Sequence, residues 1–178
     1  METYIVLGLN KTGRALAFML SAAANEKTKI ILVDEDIVSK ESIEDGFPKF
    51  ELGAYKAEAM QDVLESEFPL VTAKAITKPS GTELYEELQD LAFGSTLFCC
   101  KYVTAKTQAH IFKTFRPLCS DIMIAMHPNE QGTGQWWVLT SSSHYGDFVE
   151  GGQKEKASTA PLLALEMFVK AKHQCNQP

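Results

Sequence analysis

The tightest constraint in this sequence is a rhythm of short, unbroken apolar runs separated by segments with a helical period. TYIVLGL (3–9), KIILVD (29–34) and STLFCC (95–100) are strand-length runs with hardly a polar position. A strand that is apolar on both faces is covered on both, as in a parallel sheet between two helical layers. LVTAKAI (70–76) alternates and reads as a strand with one more polar face, and DIMIAMH (121–127) is a further strand. Between them, 13–24, 53–68, 80–94 and 105–115 have helix length and composition. Met60, Val63, Leu64 and Phe68 share one face of a 3.6-residue period. Leu84, Leu88 and Leu91 form a stripe, Ser80 and Glu83 have capping-box spacing, and Gly94 is placed to stop that helix.

Strands alternating with helical crossovers predict a Rossmann-like, doubly wound, mostly parallel α/β sheet. A chain of 178 residues is expected to form one such domain, 1–178. QWWVLT (135–140) follows its predecessor after a loop too short for a helical crossover, so it is expected as an antiparallel C-terminal strand addition. Residues 141–156 read as a flexible loop and 159–173 as a last helix with Pro161 in its first turn.

The first strand–helix junction, YIVLGLNKTG (4–13), carries the chemistry. In a dinucleotide-type βαβ unit one glycine makes the tight turn, a second lets phosphate approach, and a third permits close helix–strand packing. Gly8 and Gly13 hold the outer positions, and Asn10, followed by Lys11, stands in the middle. Asn tolerates positive φ better than most residues, so the turn is expected to survive with a more crowded cradle. Lys11 offers compensating charge. Asp34 lies 21 residues beyond Gly13, near the distance at which an acid binds ribose hydroxyls.

A net charge of −6 and a pI near 5.2 leave no surplus of cations for general nucleic-acid binding. No segment has the ~18 apolar residues of a membrane helix, and the N-terminus does not resemble a signal peptide. A cytoplasmic protein is expected. Cys99, Cys100, Cys119 and Cys175 form no C-x-x-C pair, so neither a disulfide framework nor a zinc site is expected, and buried thiols are the simpler reading.

These residues resemble the ThiF/MoeB/HesA family of ubiquitin-activating-enzyme-like adenylyltransferases, and its short phage- and plasmid-associated members in particular. The resemblance covers roughly 4–140. DEDIV (34–38) matches the family's D-x-D-x-V segment, GAYKA (53–57) its G-x-x-K-A helix start, and GTGQWWVL (132–139) its late strand. It implies that Asp34 binds ribose and Lys56 contacts phosphate, with ATP or another adenine nucleotide as the ligand. It also implies a homodimer built near Trp136 and Trp137, and a protein partner that is ubiquitin-like or encoded nearby.

The departures bear on activity. The family's Asn-Leu-x-Arg-Gln is Ser42-Ile43-Glu44-Asp45-Gly46, which puts Asp45 where a phosphate-binding arginine is implied. Lys101 stands near the place of an implied magnesium-binding aspartate, so magnesium lacks its usual ligand. Two lost contacts of about 2 kcal/mol each weaken affinity about a thousandfold. Adenylation also needs a cation clamp on departing pyrophosphate. The expectation is an adenine-nucleotide-binding or regulatory, partner-binding module with impaired adenylation. The alternatives are an active adenylyltransferase using Lys11, Lys56 and Lys101, and an NAD(P)-binding protein.

Other residues carry less. His110, His127 and His144 match no ligand motif, although His127 ends a strand where α/β sites gather. Ser141, Ser142 and Ser143 form no nucleophile elbow. Gly151–Gly152 is internal, unlike a ubiquitin-like tail. Cys175 reads as a surface thiol near the end of the sequence, and Glu41, Glu44 and Asp45 as a solvated acidic loop.

Overall fold

Successive side chains of a strand point to opposite faces, and in the central strands both faces are buried. A computed structural model describes residues 1–24, 26–44, 46–101, 105–126, 133–140 and 153–156. In order, these form β1 (Glu2–Leu7), α1 (Lys11–Ala22), β2 (Thr28–Val33), α2 (Lys40–Glu44), a 3-10 turn (Lys49–Glu51), α3 (Lys56–Glu67), β3 (Val71–Ile76), α4 (Thr82–Ala92), β4 (Thr96–Cys99), α5 (Ala105–Phe115), β5 (Asp121–Met126), β6 (Thr133–Thr140) and β7 (Gln153–Lys156). The sheet order is β3-β2-β1-β4-β5-β6-β7. The first five strands are parallel; β6 runs antiparallel to β5, and β7 antiparallel to β6.

The unbroken apolar runs are explained by two cores, one on each face. Tyr4, Val6, Ile30, Leu32 and Phe98 meet Leu16, Leu20, Met60 and Leu64 of α1 and α3. The intervening residues Ile5, Leu7, Ile31, Val33, Leu97 and Cys99 meet Leu84, Leu88, Ile111 and Phe115 of α4 and α5. Each fully buried large side chain contributes about 1.5–3 kcal/mol of transfer free energy. β3 lies at the edge, and its mixed burial accounts for its alternating sequence.

Local boundaries differ from the sequence reading in instructive ways. α1 begins at Lys11, before Gly13, because Asn10 caps it. α3 begins at Lys56, after Gly53, since an antiparallel bridge pairs Tyr55 with Ile37 and Gly53 N donates to Val38 O at 2.9 Å. The expected Ser80–Glu83 capping box does not form. The N-cap of α4 is Gly81, with no side-chain cap, and Ser80 is engaged elsewhere. Glu41 and Glu44 lie on α2 rather than in an open loop; Ser39 Oγ accepts from Ser42 N and donates to Glu41 at its start.

The last four residues of the expected 141–156 loop form β7. Residues 141–152, the expected helix 159–173, Asp45, His127, Gly132, His144 and Cys175 lie outside the described residues. Trp136 and Trp137 are backbone partners of Ala125 and Ile124 across β5 and β6. Among the described residues no helix is long and apolar enough to cross a membrane.

Candidate functional site

Register brings the ends of four strands to one rim. Leu7 is paired with Val33 and Cys99, and Val33 with Ile76. The residues that follow, Gly8, Asp34 and Cys100, therefore leave the sheet side by side. β1 and β4 are neighbours here, and their crossovers go to opposite faces. Such a switch point is where ligands bind in open α/β sheets.

The β1–α1 turn has no slack. Gly8 has φ +95°, and a Cβ there would stand 2.6 Å from Lys101 N. A Cβ on Gly13 would stand 1.9 Å from Gly8 O. Both glycines are thus required by close backbone approach, whatever the turn binds. Asn10 behaves differently from expectation: its φ is −65°, and no described non-glycine residue has positive φ. Its role is that of a cap. Asn10 Oδ1 accepts Gly13 N–H at 3.0 Å and Nδ2 donates to Cys100 O at 2.7 Å, so the side chain joins the turn to the end of β4. A helix-start N–H that could face phosphate already has an internal acceptor.

Asp34 is buried and serves the same turn. Its Oδ2 accepts Leu9 N–H at 2.5 Å and its Oδ1 accepts Asp36 N–H at 2.9 Å. A ribose would have to share a carboxylate already holding two backbone amides. Lys56 is drawn to Asp36: its N–H donates to Asp36 O at 2.9 Å, and Nζ lies 3.2 Å from Oδ2. Lys11, the first residue of α1, is exposed. The structure thus joins Gly8, Asn10, Gly13 and Asp34 into one bonded turn, ties Lys56 to the β2 exit, and leaves Lys11 on the surface.

Two groups at this rim, Glu35 and Arg14, escaped the sequence reading, and Ser80, expected as a helix cap, serves the rim instead. Glu35 Oε1 lies 2.7 Å from Lys101 Nζ, its Oε2 accepts Ser80 N–H at 3.1 Å, and Lys101 Nζ donates to Ser80 Oγ at 3.2 Å. Arg14, in the first turn of α1, is buried with its guanidinium 4.3 Å from the centre of the Phe47 ring. Its terminal nitrogens lie 3.6 and 3.8 Å from where a Cβ on Gly46 would sit. The one available signal for Arg14 was an arginine standing on the apolar side of a helix. For Glu35, and for its meeting with Ser80, there was none, because that meeting depends on strand order.

The cysteines here are inert by environment. Burial pushes the Cys99 thiol up from 9.0 to about 12, and pushes Cys100 higher still, so neither is a thiolate nucleophile near neutrality. Cys119 is also buried. His110 is exposed on α5, with its ring 5.3 Å from that of Tyr85.

No protein-family model and no curated protein sequence matches the chain. Solved structures do. PaaA aligns over 100% of this chain and 58% of its own, with a TM-score of 0.73 and 14% identity. MccB of E. coli, solved with MccA, aligns over 80% of this chain and 42% of its own, at a TM-score of 0.68 and 14% identity. The fold is that of MccB and PaaA. MccB solved with ATP aligns at a TM-score of 0.59 and 15% identity, over 80% of this chain and 41% of its own. The chain therefore spans about two-fifths to three-fifths of the length of these structures. The shared α/β architecture agrees with the fold that the ThiF/MoeB/HesA resemblance implies.

Proposed function

We propose that this chain is a divergent ThiF-like module that holds an adenine nucleotide at the β1/β4 switch point without adenylating a substrate, and serves a regulatory role toward a protein partner. One observation carries this reading: two of the lysines at the rim have internal counterions. Lys101 is matched by Glu35, and Lys56 by Asp36. Departing pyrophosphate would have to displace Glu35 or Asp36 before either ammonium could stabilise it. The nucleotide half of the reading is supported by the turn, whose backbone shape is kept, and by the fold shared with a protein solved with ATP. Lys11 and Lys56 would face phosphate, and Asp34 the ribose. The same reading takes the protein as a cytoplasmic homodimer formed near β6, which sedimentation velocity reads directly.

The test is a thermal-shift series with ATP, AMP and NAD, each with and without magnesium. A ligand at ten times its Kd adds about 1.4 kcal/mol, roughly 3–5 °C for a chain of this size. ATP and AMP are expected to give comparable shifts, indifferent to magnesium. A larger shift with NAD would move the site to the dinucleotide class.

One observation favours the second reading, an active adenylyltransferase. The Arg14 guanidinium adjoins Gly46, next to the position where the implied phosphate-binding arginine has become Asp45. On that reading ATP stabilises the protein only with magnesium, pyrophosphate is released with a candidate C-terminal peptide, and Arg14→Met abolishes the release.

A further inference from the structure

The Glu35 carboxylate is held as a bound oxyanion would be. One oxygen meets the Lys101 ammonium at 2.7 Å and the other accepts the Ser80 backbone N–H at 3.1 Å. The Ser80 hydroxyl, 3.2 Å from Lys101 Nζ, ties the two donors together. Their positions are fixed from below. Cys100 N and Lys101 N both donate to Leu7 O, at 2.8 and 2.9 Å, which holds the base of the Lys101 side chain against Gly8. Ser80 stands two residues before α4, whose positive end adds to the local field.

The contact is also a long reach. Glu35 follows β2 and Lys101 follows β4, with β1 between them. At about 4.8 Å per strand, the two side chains span roughly 10 Å across the end of β1.

We propose that Lys101 and Ser80 form an oxyanion-binding site whose resident occupant is Glu35. The carboxylate is a built-in plug, and a phosphate or carboxylate group of a free ligand takes its place when Glu35 swings outward. The plug suits that task. The side chains of Glu35 and Lys101 are 33% and 27% exposed, a setting where ion pairs are weak and salt-screened. Its movement leaves the rim intact, because Asp34 stays bonded to Leu9 and Asp36 to Lys56. A dianion also holds an ammonium more strongly than a single carboxylate does. The proposal is independent of nucleotide binding, since its probes carry no adenine.

The experiment is isothermal titration of the full chain and of Glu35→Gln with inorganic pyrophosphate, and separately with an acetylated dipeptide bearing a free C-terminal carboxylate. Glu35→Gln keeps the size of the plug and removes its charge, so it is expected to bind at least one probe about tenfold more tightly than the parent. Adding Lys101→Met must erase that gain. In parallel, the Ser80 amide resonance of the unmodified protein must move saturably as that probe is added, a readout that needs no variant. A response to pyrophosphate alone assigns the site to phosphate groups, and a response to the dipeptide alone assigns it to a chain-end carboxylate. Equal affinity in Glu35→Gln and the parent, a gain that survives Lys101→Met, or an unmoved Ser80 amide overturns the proposal.

Discussion

The β1–α1 turn and the Glu35–Lys101–Ser80 contact lie over the same strand end, yet different physics holds each. The turn is fixed by backbone atoms that approach so closely that only hydrogen fits where a Cβ would be. The contact above it is fixed by partly exposed charges on side chains that can rotate away. A close backbone approach can be met by glycine alone, so it leaves a mark in the sequence. A charge pair can be met by many residues in many places, so it leaves none. The rigid element is therefore the part of this site shared with any protein that makes the turn, and the loose element is where this chain is individual.

The largest effect should come from breaking the turn. Gly13→Ala puts a methyl 1.9 Å from Gly8 O and 3.0 Å from Gly8 C, both backbone atoms that cannot step aside. We expect a loss of about 3 kcal/mol or more in urea denaturation, a large share of the roughly 5–15 kcal/mol typical of domains. A variant within about 1 kcal/mol of the parent would mean that the turn has slack and is no more rigidly fixed than the charged contact above it.

Just beneath the charged contact the environment changes within one residue, from Cys99 and Cys100 in the two cores to Lys101 at the rim. Burial raises Cys99 from 9.0 to about 12 and Cys100 further. In the unfolded chain these thiols ionise near 9, while in the folded chain they keep their protons. Above that pH the folded state binds more protons, so stability falls as pH rises. The loss sets in near pH 9, where the unfolded thiols begin to ionise, and grows as pH rises further. Tyr4 adds to the same trend above pH 10, because burial and then its hydrogen bond to Glu2 raise its phenol. Urea midpoints at pH 8, 9.5 and 10.5 read the slope. Cys99→Ala and Cys100→Ala should each flatten it, and a flat parent profile would mean that these thiols ionise in place.

Asn10 sits between the two kinds of constraint, and its chemistry separates them. Asn10→Ala loses the cap on Gly13 N–H and the bond to Cys100 O, for an expected cost of about 1–2 kcal/mol. Asn10→Asp is the sharper variant. Asp caps helices as well as Asn does, but here it would set an oxygen against Cys100 O, so it should be destabilised nearly as much as Ala. Asn10→Gly opens the turn to phosphate, and on the nucleotide-binding reading it tightens ATP while costing less stability than Ala. Parent-like stability in Asn10→Asp would show that the Cys100 bond contributes little.

The contrast also explains what could be read in advance. The two-sided apolar runs at 3–9, 29–34 and 95–100 specified a doubly covered sheet, because burial on both faces leaves no room for polar residues. Gly8 and Gly13 were legible because a tight βα turn requires glycine there; Asp34 stood out by its distance from Gly13 as a ribose ligand, whereas its carboxylate is engaged by the Leu9 and Asp36 amides. The working of Asn10 was misread. Its tolerance of positive φ suggested a backbone role, whereas its side chain spans 90 positions of sequence to Cys100. Ser80 was misread for a similar reason, since a local capping rule competed with a distant carboxylate and lost. Arg14 and Glu35 were passed over because their partners are set by how strands and crossovers stack.

The smallest effect on stability should come from the charged contact itself, and its smallness is the point. Lys101→Met removes a pair that is about one-third exposed, so it should cost about 0.2–1 kcal/mol at low salt and close to nothing at 500 mM sodium chloride. Urea denaturation at the two salt concentrations measures both values. A cost of 2 kcal/mol or more, unchanged by salt, would mean that the pair is a structural tie like the turn below it. Glu35 could not then be displaced by a ligand at modest concentration. A small, screened cost leaves Lys101 and Ser80 held in place by Leu7 and the start of α4 whether or not Glu35 is seated, and that separation of a fixed frame from a removable carboxylate is what an exchangeable oxyanion site requires.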